Sequence, residues 1–229
     1  MKILAVADEP SKSLWDYYHP GTFDEIDLII SCGDLSASYL EFLVTMSRCP
    51  LLYVRGNHDS RYEKHPPEGC ICIEDSIYNY KGLRILGLGG SMRYKPGPFM
   101  YTEEEMARRI SHLGPKIRFT GGFDILVTHA PARGFGDLND LPHLGFACFN
   151  ELLEKQRPMY MLHGHVHKTY SAHFKRAIEL PSGTKSVNCF EKTVLDIPEN
   201  KFHPFGSTGS YLYDQYCILK GKKTDSVKV

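Results

Sequence analysis

Carboxylate and imidazole side chains recur in this chain at one kind of place, directly after a short apolar run. ILAVA (3–7) ends on Asp8, which is followed by Glu9 and Pro10. LIISC (28–32) leads into Gly33-Asp34, and LLYVR (51–55) into Gly56-Asn57-His58-Asp59. ILVT (125–128) leads into His129, and MYML (159–162) into His163-Gly164-His165-Val166-His167. Carboxylates mixed with imidazoles suit divalent Mn, Fe or Zn, whereas an all-oxygen Ca or Mg site does not recruit so many histidines. His165 and His167, two residues apart, are costly to bury unless paired or metal-bound. Singly the elements are ordinary. Gly-Asp after a strand also makes a turn, and a lone His129 serves equally well as a hydrogen-bonded core histidine. The chemistry lies in the set.

The apolar runs read as buried strands, at 3–7, 28–32, 51–54, 84–88, 125–128 and 159–162. Between the second and third, Leu40, Leu43 and Val44 fall at helical spacing. Thr102 with Glu105 three residues on predicts a capped helix start. A third helix is expected from Phe146 to Gln156, stopped by Arg157-Pro158. Strands alternating with helices argue an α/β fold with a largely parallel sheet, and sites in such sheets form beyond the carboxyl ends of the strands. The five run-ends can therefore converge. Lys81-Gly82 between two apolar stretches predicts an antiparallel hairpin. A second strand-rich region is expected over residues 171–197, giving a mixed core with two sheets and one domain over 1–199. Residues 200–229 read as a carboxyl-terminal extension, with a strand or packing segment at Tyr211–Leu219 and a mobile last ten residues.

Bulk composition narrows the partners. Lys+Arg and Asp+Glu balance at 27 each over 229 residues, so charge gives no reason to expect nucleic acid or an anionic membrane. No apolar run approaches the roughly eighteen residues of a membrane span. The opening run is also shorter than the roughly seven to fifteen residues of a signal h-region, and an acid ends it. A cytoplasmic protein is expected, with homo-oligomerisation left open. The seven cysteines are odd in number and scattered, as reduced thiols would be.

In this order, Asp8, Gly33-Asp34, Gly56-Asn57-His58-Asp59, Thr128-His129-Ala130-Pro131 and Gly164-His165-Val166-His167 resemble the motifs of the calcineurin-like metallophosphoesterases, in particular their compact phosphodiesterase branch. The resemblance runs from residue 2 to about residue 197. It implies an α/β/β/α sandwich of four layers with two mixed sheets and a centre of two divalent metal ions. Asp34 would bridge the ions; Asn57, His129 and His165 would complete one site, while Asp8 and His167 would serve the other. His58 would be the catalytic histidine, and Asp59 would orient it or simply complete a turn. The implied substrate is a small phosphate ester, hydrolysed by a metal-activated water.

One position departs from the family pattern. The first motif is Asp-x-His, and here Pro10 stands where the histidine would be, so the Asp8 site is expected to be weak. Glu9 could reach in, although neighbours in an extended segment point to opposite faces; His19 is a more distant candidate. Arg93 and Tyr94 are candidate substrate contacts, on a phosphoryl oxygen or a base, against the alternative of a solvated loop. Arg133 and His143, after His129, face the same choice. With Pro10 and the tyrosine-rich carboxyl-terminal segment, the alternative to a hydrolase is a non-catalytic protein-binding scaffold with a degenerate metal site.

Overall fold

Alternation within the first strand sets the layering. In β1 (Lys2–Val6), Ile3 and Ala5 join one apolar cluster while Leu4 and Val6 join another, because successive side chains of a strand point to opposite faces. The computed structural model describes residues 1–170, 174–198, 201, 203, 207–221 and 226–229. β1 pairs in parallel with β2 (Leu28–Ser31), which continues in parallel to β3 (Leu51–Tyr53) and β4 (Ile71–Cys72). β13 (Thr193–Asp196) closes the other edge, antiparallel to β1 with Lys2 opposite Asp196.

The second sheet has seven strands. β5 (Ser76–Tyr80) and β6 (Leu83–Leu88) form the expected antiparallel hairpin. Its two turn residues, Lys81 and Gly82, have φ of 49° and 92°, both in the left-handed region that a type I′ turn requires. β6 runs parallel to β9 (Ile125–Thr128), β9 to β10 (Tyr160–His163), and β10 to β12 (Lys185–Asn188). β11 (Ala177–Glu179) pairs antiparallel with β12 at the far edge. A small parallel pair, β7 (Ser91–Met92) with β8 (Met100–Tyr101), lies outside both sheets.

Three apolar clusters define four layers. Between the sheets, Ile3, Leu28 and Leu52 meet Ile85, Ile125 and Leu162. Behind the first sheet, Leu4, Ile29 and Leu51 pack with Leu40 and Leu43 of α1 (Ala37–Ser47). Behind the second, Leu86, Leu126 and Met161 pack with Met106 and Leu113 of α2 (Glu103–Thr120) and Phe149 and Leu152 of α3 (Ala147–Gln156). The architecture is the expected α/β/β/α sandwich with two mixed sheets. Each fully buried Leu or Ile contributes about 1.5–3 kcal/mol, so the strand ends that carry the polar motifs are anchored on both faces. Thr102 caps α2 in the expected box with Glu105.

The carboxyl-terminal segment corrects one expectation. Residues 211–219 are not a strand: they lie in a helix, α4 (Tyr211–Gly221). Tyr213 and Cys217, four apart, form its buried apolar contacts, whereas aromatic content alone suggests a strand. The added strand lies further on, β14 (Ser226–Lys228), which pairs antiparallel with β5 and covers that sheet edge. The last ten residues, expected to be mobile, therefore include an ordered strand; 222–225 lie outside the described residues. Among the described residues, no helix is long and apolar enough to cross a membrane.

Candidate metal centre

The polar motifs meet where the strands of both sheets end. Three donor atoms gather around a fourth: His129 Nε2 lies 3.1 Å from Asn57 Oδ1, 3.2 Å from Asp34 Oδ2 and 3.1 Å from His165 Nδ1, and the Asp34, His129 and His165 atoms all lie within 4.8 Å of one another. Ligand atoms about 2.1 Å from one cation and at right angles to each other lie about 3.0 Å apart. The spacing fits a single ion.

The protons are fixed from behind. His129 Nδ1 faces the Cys32 carbonyl at 2.8 Å, and His165 Nε2 faces the Pro142 carbonyl at 2.6 Å. A carbonyl only accepts, so those two nitrogens carry the hydrogens. The lone pairs of His129 Nε2 and His165 Nδ1 are left pointing at one another and at two oxygen acceptors. Such a cluster needs a proton or a cation. Without metal, His129 takes the proton: burial opposes its charge, but Asp34, with Asp8 and the Cys32 carbonyl, raises its pKa to about 9. Burial also works against the Asp34 carboxylate, yet His129 and the His58 amide hold it down at about 2. Burial and the His129 charge press His165 down to about 3.

The other half of the centre is looser. Asp8 Oδ1 accepts from the His165 amide at 2.8 Å, and His167 Nε2 stands 3.9 Å from that oxygen. Asp8 Oδ2 is buried with no hydrogen-bond partner, an orphan acceptor of the kind a cation satisfies. Burial raises the Asp8 carboxyl to about 7 against the pull of His129. Burial likewise lowers the pKa of His167.

The loops bend hard to make this convergence. Asp8, Asp34 and His165 all have positive φ, 66°, 58° and 70°, a region costly for residues with a Cβ and found where the surroundings impose it. Two glycines are required by close approach. A Cβ on Gly56 would lie 2.0 Å from Asp34 Oδ1, and one on Gly164 would lie 2.6 Å from Asp8 Oδ2.

Asp8, Asp34, Asn57, His165 and His167 line a cleft of about 310 Å³ with His58 at its side. The His58 amide donates to Asp34 Oδ1 at 2.7 Å, which places the exposed imidazole beside the centre. Asp59 does something other than orient that ring. Its Oδ2 accepts from the backbone amides of Gly56 and Asp34, at 2.7 and 2.8 Å, so it ties two ligand loops together. Burial, with Asp34 nearby, pushes its carboxyl up to about 7.

The two candidate substrate contacts part company. Tyr94 lines the cleft. Arg93 is turned away, donating to the Met100 carbonyl and to Glu105 at 2.6 Å, so the expectation of a substrate contact is corrected to a brace between β8 and α2. Arg133 is likewise engaged by the Gly145 carbonyl. His143 lines the cleft, with Nδ1 2.6 Å from Asp140 Oδ2. Sequence reading passes over Pro142, whose carbonyl holds His165, and Tyr170, which stacks on His167 at 4.5 Å. Only the placement of Tyr170 three residues after His167 hints at that stack.

Comparison with known proteins points to one family. The family model for the calcineurin-like phosphoesterase superfamily domain matches residues 1–189. UPF0046 protein T07D4.2 of Caenorhabditis elegans is 26% identical over 140 residues, a match that takes in 56% of this chain and 33% of that protein. The chain thus answers to about a third of that curated relative's length. Among solved structures, TT1561 of Thermus thermophilus superposes with a TM-score of 0.56 at 16% identity, over 83% of this chain and 89% of that one. Another has a TM-score of 0.61, also at 16% identity, over 85% of this chain and 94% of its own. At such identities the likeness speaks for the fold.

Proposed function

The chain belongs to the calcineurin-like phosphoesterase superfamily, and on that premise we propose that it hydrolyses a phosphodiester or a small phosphomonoester with two divalent metal ions. The observation that carries the reading is the meeting of His129 Nε2, His165 Nδ1, Asp34 Oδ2 and Asn57 Oδ1 at the floor of a cleft. Asp34, Asn57, His129 and His165 would hold one ion; Asp8, Asp34 and His167 would hold the other. When bound, such a centre supplies charge for the phosphoryl oxygens and a water acidic enough to attack phosphorus.

The chain's own residues do the rest. Asp34 presents one oxygen to the His58 amide and the other to His129, so its carboxylate is fixed in plane. His58, which lines the cleft and is open to solvent, would give a proton to the departing oxygen. Asp59 keeps the loops of Asp34 and Asn57 in register. Tyr94 and Tyr170 wall the opening and leave room for a small organic substituent.

Hydrolysis of a generic aryl phosphodiester with Mn supplied tests the proposal. We expect metal-dependent turnover that falls about 10²–10⁴-fold in His58→Ala, with metal content unchanged. Tight metal binding without His58-dependent turnover on diester or monoester would leave the scaffold reading in its place.

A further inference from the structure

His167 differs from the other two imidazoles in what stands behind it. His129 and His165 each have a backbone carbonyl at the rear nitrogen. At His167 the rear position belongs to a carboxylate: Glu9 Oε1 lies 3.6 Å from Nδ1, on the side opposite the nitrogen that faces Asp8. Tyr170 is stacked on the ring, nearly parallel at 6°, and Phe190 tilts against it at 4.8 Å. The imidazole is thus held by its aromatic neighbours and bracketed by acids at both nitrogens.

The backbone explains how consecutive residues reach one ring. In an extended strand the side chains of Asp8 and Glu9 would leave on opposite faces. Asp8 instead has φ of 66°, and the Glu9 amide donates to the Ala7 carbonyl at 2.7 Å, closing a tight turn around Asp8. That turn brings both carboxylates to His167. The Glu9 side chain is 55% exposed, and its 3.6 Å separation from Nδ1 is an ion-pair contact longer than a hydrogen bond.

We infer that Glu9 is a positioning residue for His167: it holds the ring proton on Nδ1 and leaves the Nε2 lone pair facing Asp8. The inference rests on the metal-centre reading above and deepens it. Glu9 does not substitute for the ligand absent at Pro10, since it contacts the far nitrogen of the ring. A carboxylate behind a ligating histidine fixes its tautomer and strengthens it as a donor, which offsets part of that absence in the weaker half of the centre.

The test compares the wild-type chain with Glu9→Gln in two measurements. Nitrogen-15 spectra of the histidine rings in metal-free protein at pH 8 report the His167 tautomer. The expected result is Nδ1–H in the wild type and a shift toward Nε2–H in the variant. Titration with Mn(II) should show the weaker site losing about tenfold or more in affinity, with the tighter site unchanged. An unchanged tautomer overturns the inference even if affinity falls, because Glu9 would then act directly on the ion. Unchanged tautomer and affinity together make Glu9 a solvated acid. If the wild type takes up no Mn(II) at all, the metal-centre reading fails and the inference with it; uptake with an indifferent variant sinks the inference alone.

Discussion

The two halves of the proposed centre would share Asp34, yet they are built to different tolerances. Around His129, three donor atoms stand 3.1–3.2 Å from Nε2 and both imidazoles are pinned by backbone carbonyls. Around Asp8, the nearest imidazole nitrogen is 3.9 Å away, its ring is 24% exposed, and the carboxylate behind it is on a half-exposed side chain. Burial and backbone anchoring make the first half rigid before any ion arrives. The second half has a wider gap between its donor atoms and a partly exposed imidazole. Pro10 lies beside that second half, so the departure from the family motif falls where the geometry is already loose.

The largest break should come from the shared residue. Asp34→Asn removes the charge common to both halves, and metal affinity is expected to fall by more than about 100-fold, as isothermal titration with Mn(II) would show. Retention of the tighter site in that variant would mean the halves do not share Asp34. A smaller and opposite effect is expected from Pro10→His. It should tighten the Asp8 half by about tenfold, or about 1.4 kcal/mol, and leave the His129 half alone. No change in titration would remove residue 10 from the neighbourhood of the ion.

The smallest effect is a pH dependence of metal-free stability. His129 is raised from 6.5 to about 9 and Asp8 from 3.8 to about 7. A group whose folded pKa is raised stabilises below its unfolded value and loses that contribution as pH rises through the folded one. Asp8 therefore costs stability between about pH 4 and 7, and His129 between about 6.5 and 9. Below about pH 6.5 the buried His163 and His165, lowered to about 4 and about 3, oppose Asp8, so thermal melting of metal-free protein should decline clearly only across the upper window. His129→Asn should flatten that window, and so should metal, since the ion takes the place of the proton. A rise in stability from pH 6.5 to 9 would contradict the His129–Asp34 pairing.

Much of this was legible before any fold was in view. Strand ends could be located because apolar runs stop abruptly on polar residues, and Asp8, Asp34, Asn57, His129, His165 and His167 all sit at those stops. What stayed hidden depends on contacts between distant segments or on a single dihedral. Arg93 and Tyr94 are neighbours with opposite fates, because Glu105 and the Met100 carbonyl capture the guanidinium. Asp59 reads as a partner for the adjacent His58, yet its carboxylate reaches the amide of Asp34, twenty-five positions away. The reach of Glu9 turns on the positive φ of Asp8, which the alternation of an extended strand does not allow for. Helix α4 was obscured by tyrosines that favour strands, although Tyr213 and Cys217 carry the helical spacing.

The two halves of the proposed centre should hold ions unequally, and stepwise loading of metal-free protein with Mn(II) tests this. Two resolved classes of site are predicted, one ion per chain in each, the tighter lost in His129→Ala and the weaker in His167→Ala. The tighter class should exceed the weaker by at least about tenfold in affinity. Two equivalent sites filling in one step, or a first ion whose binding ignores His129, would contradict the account.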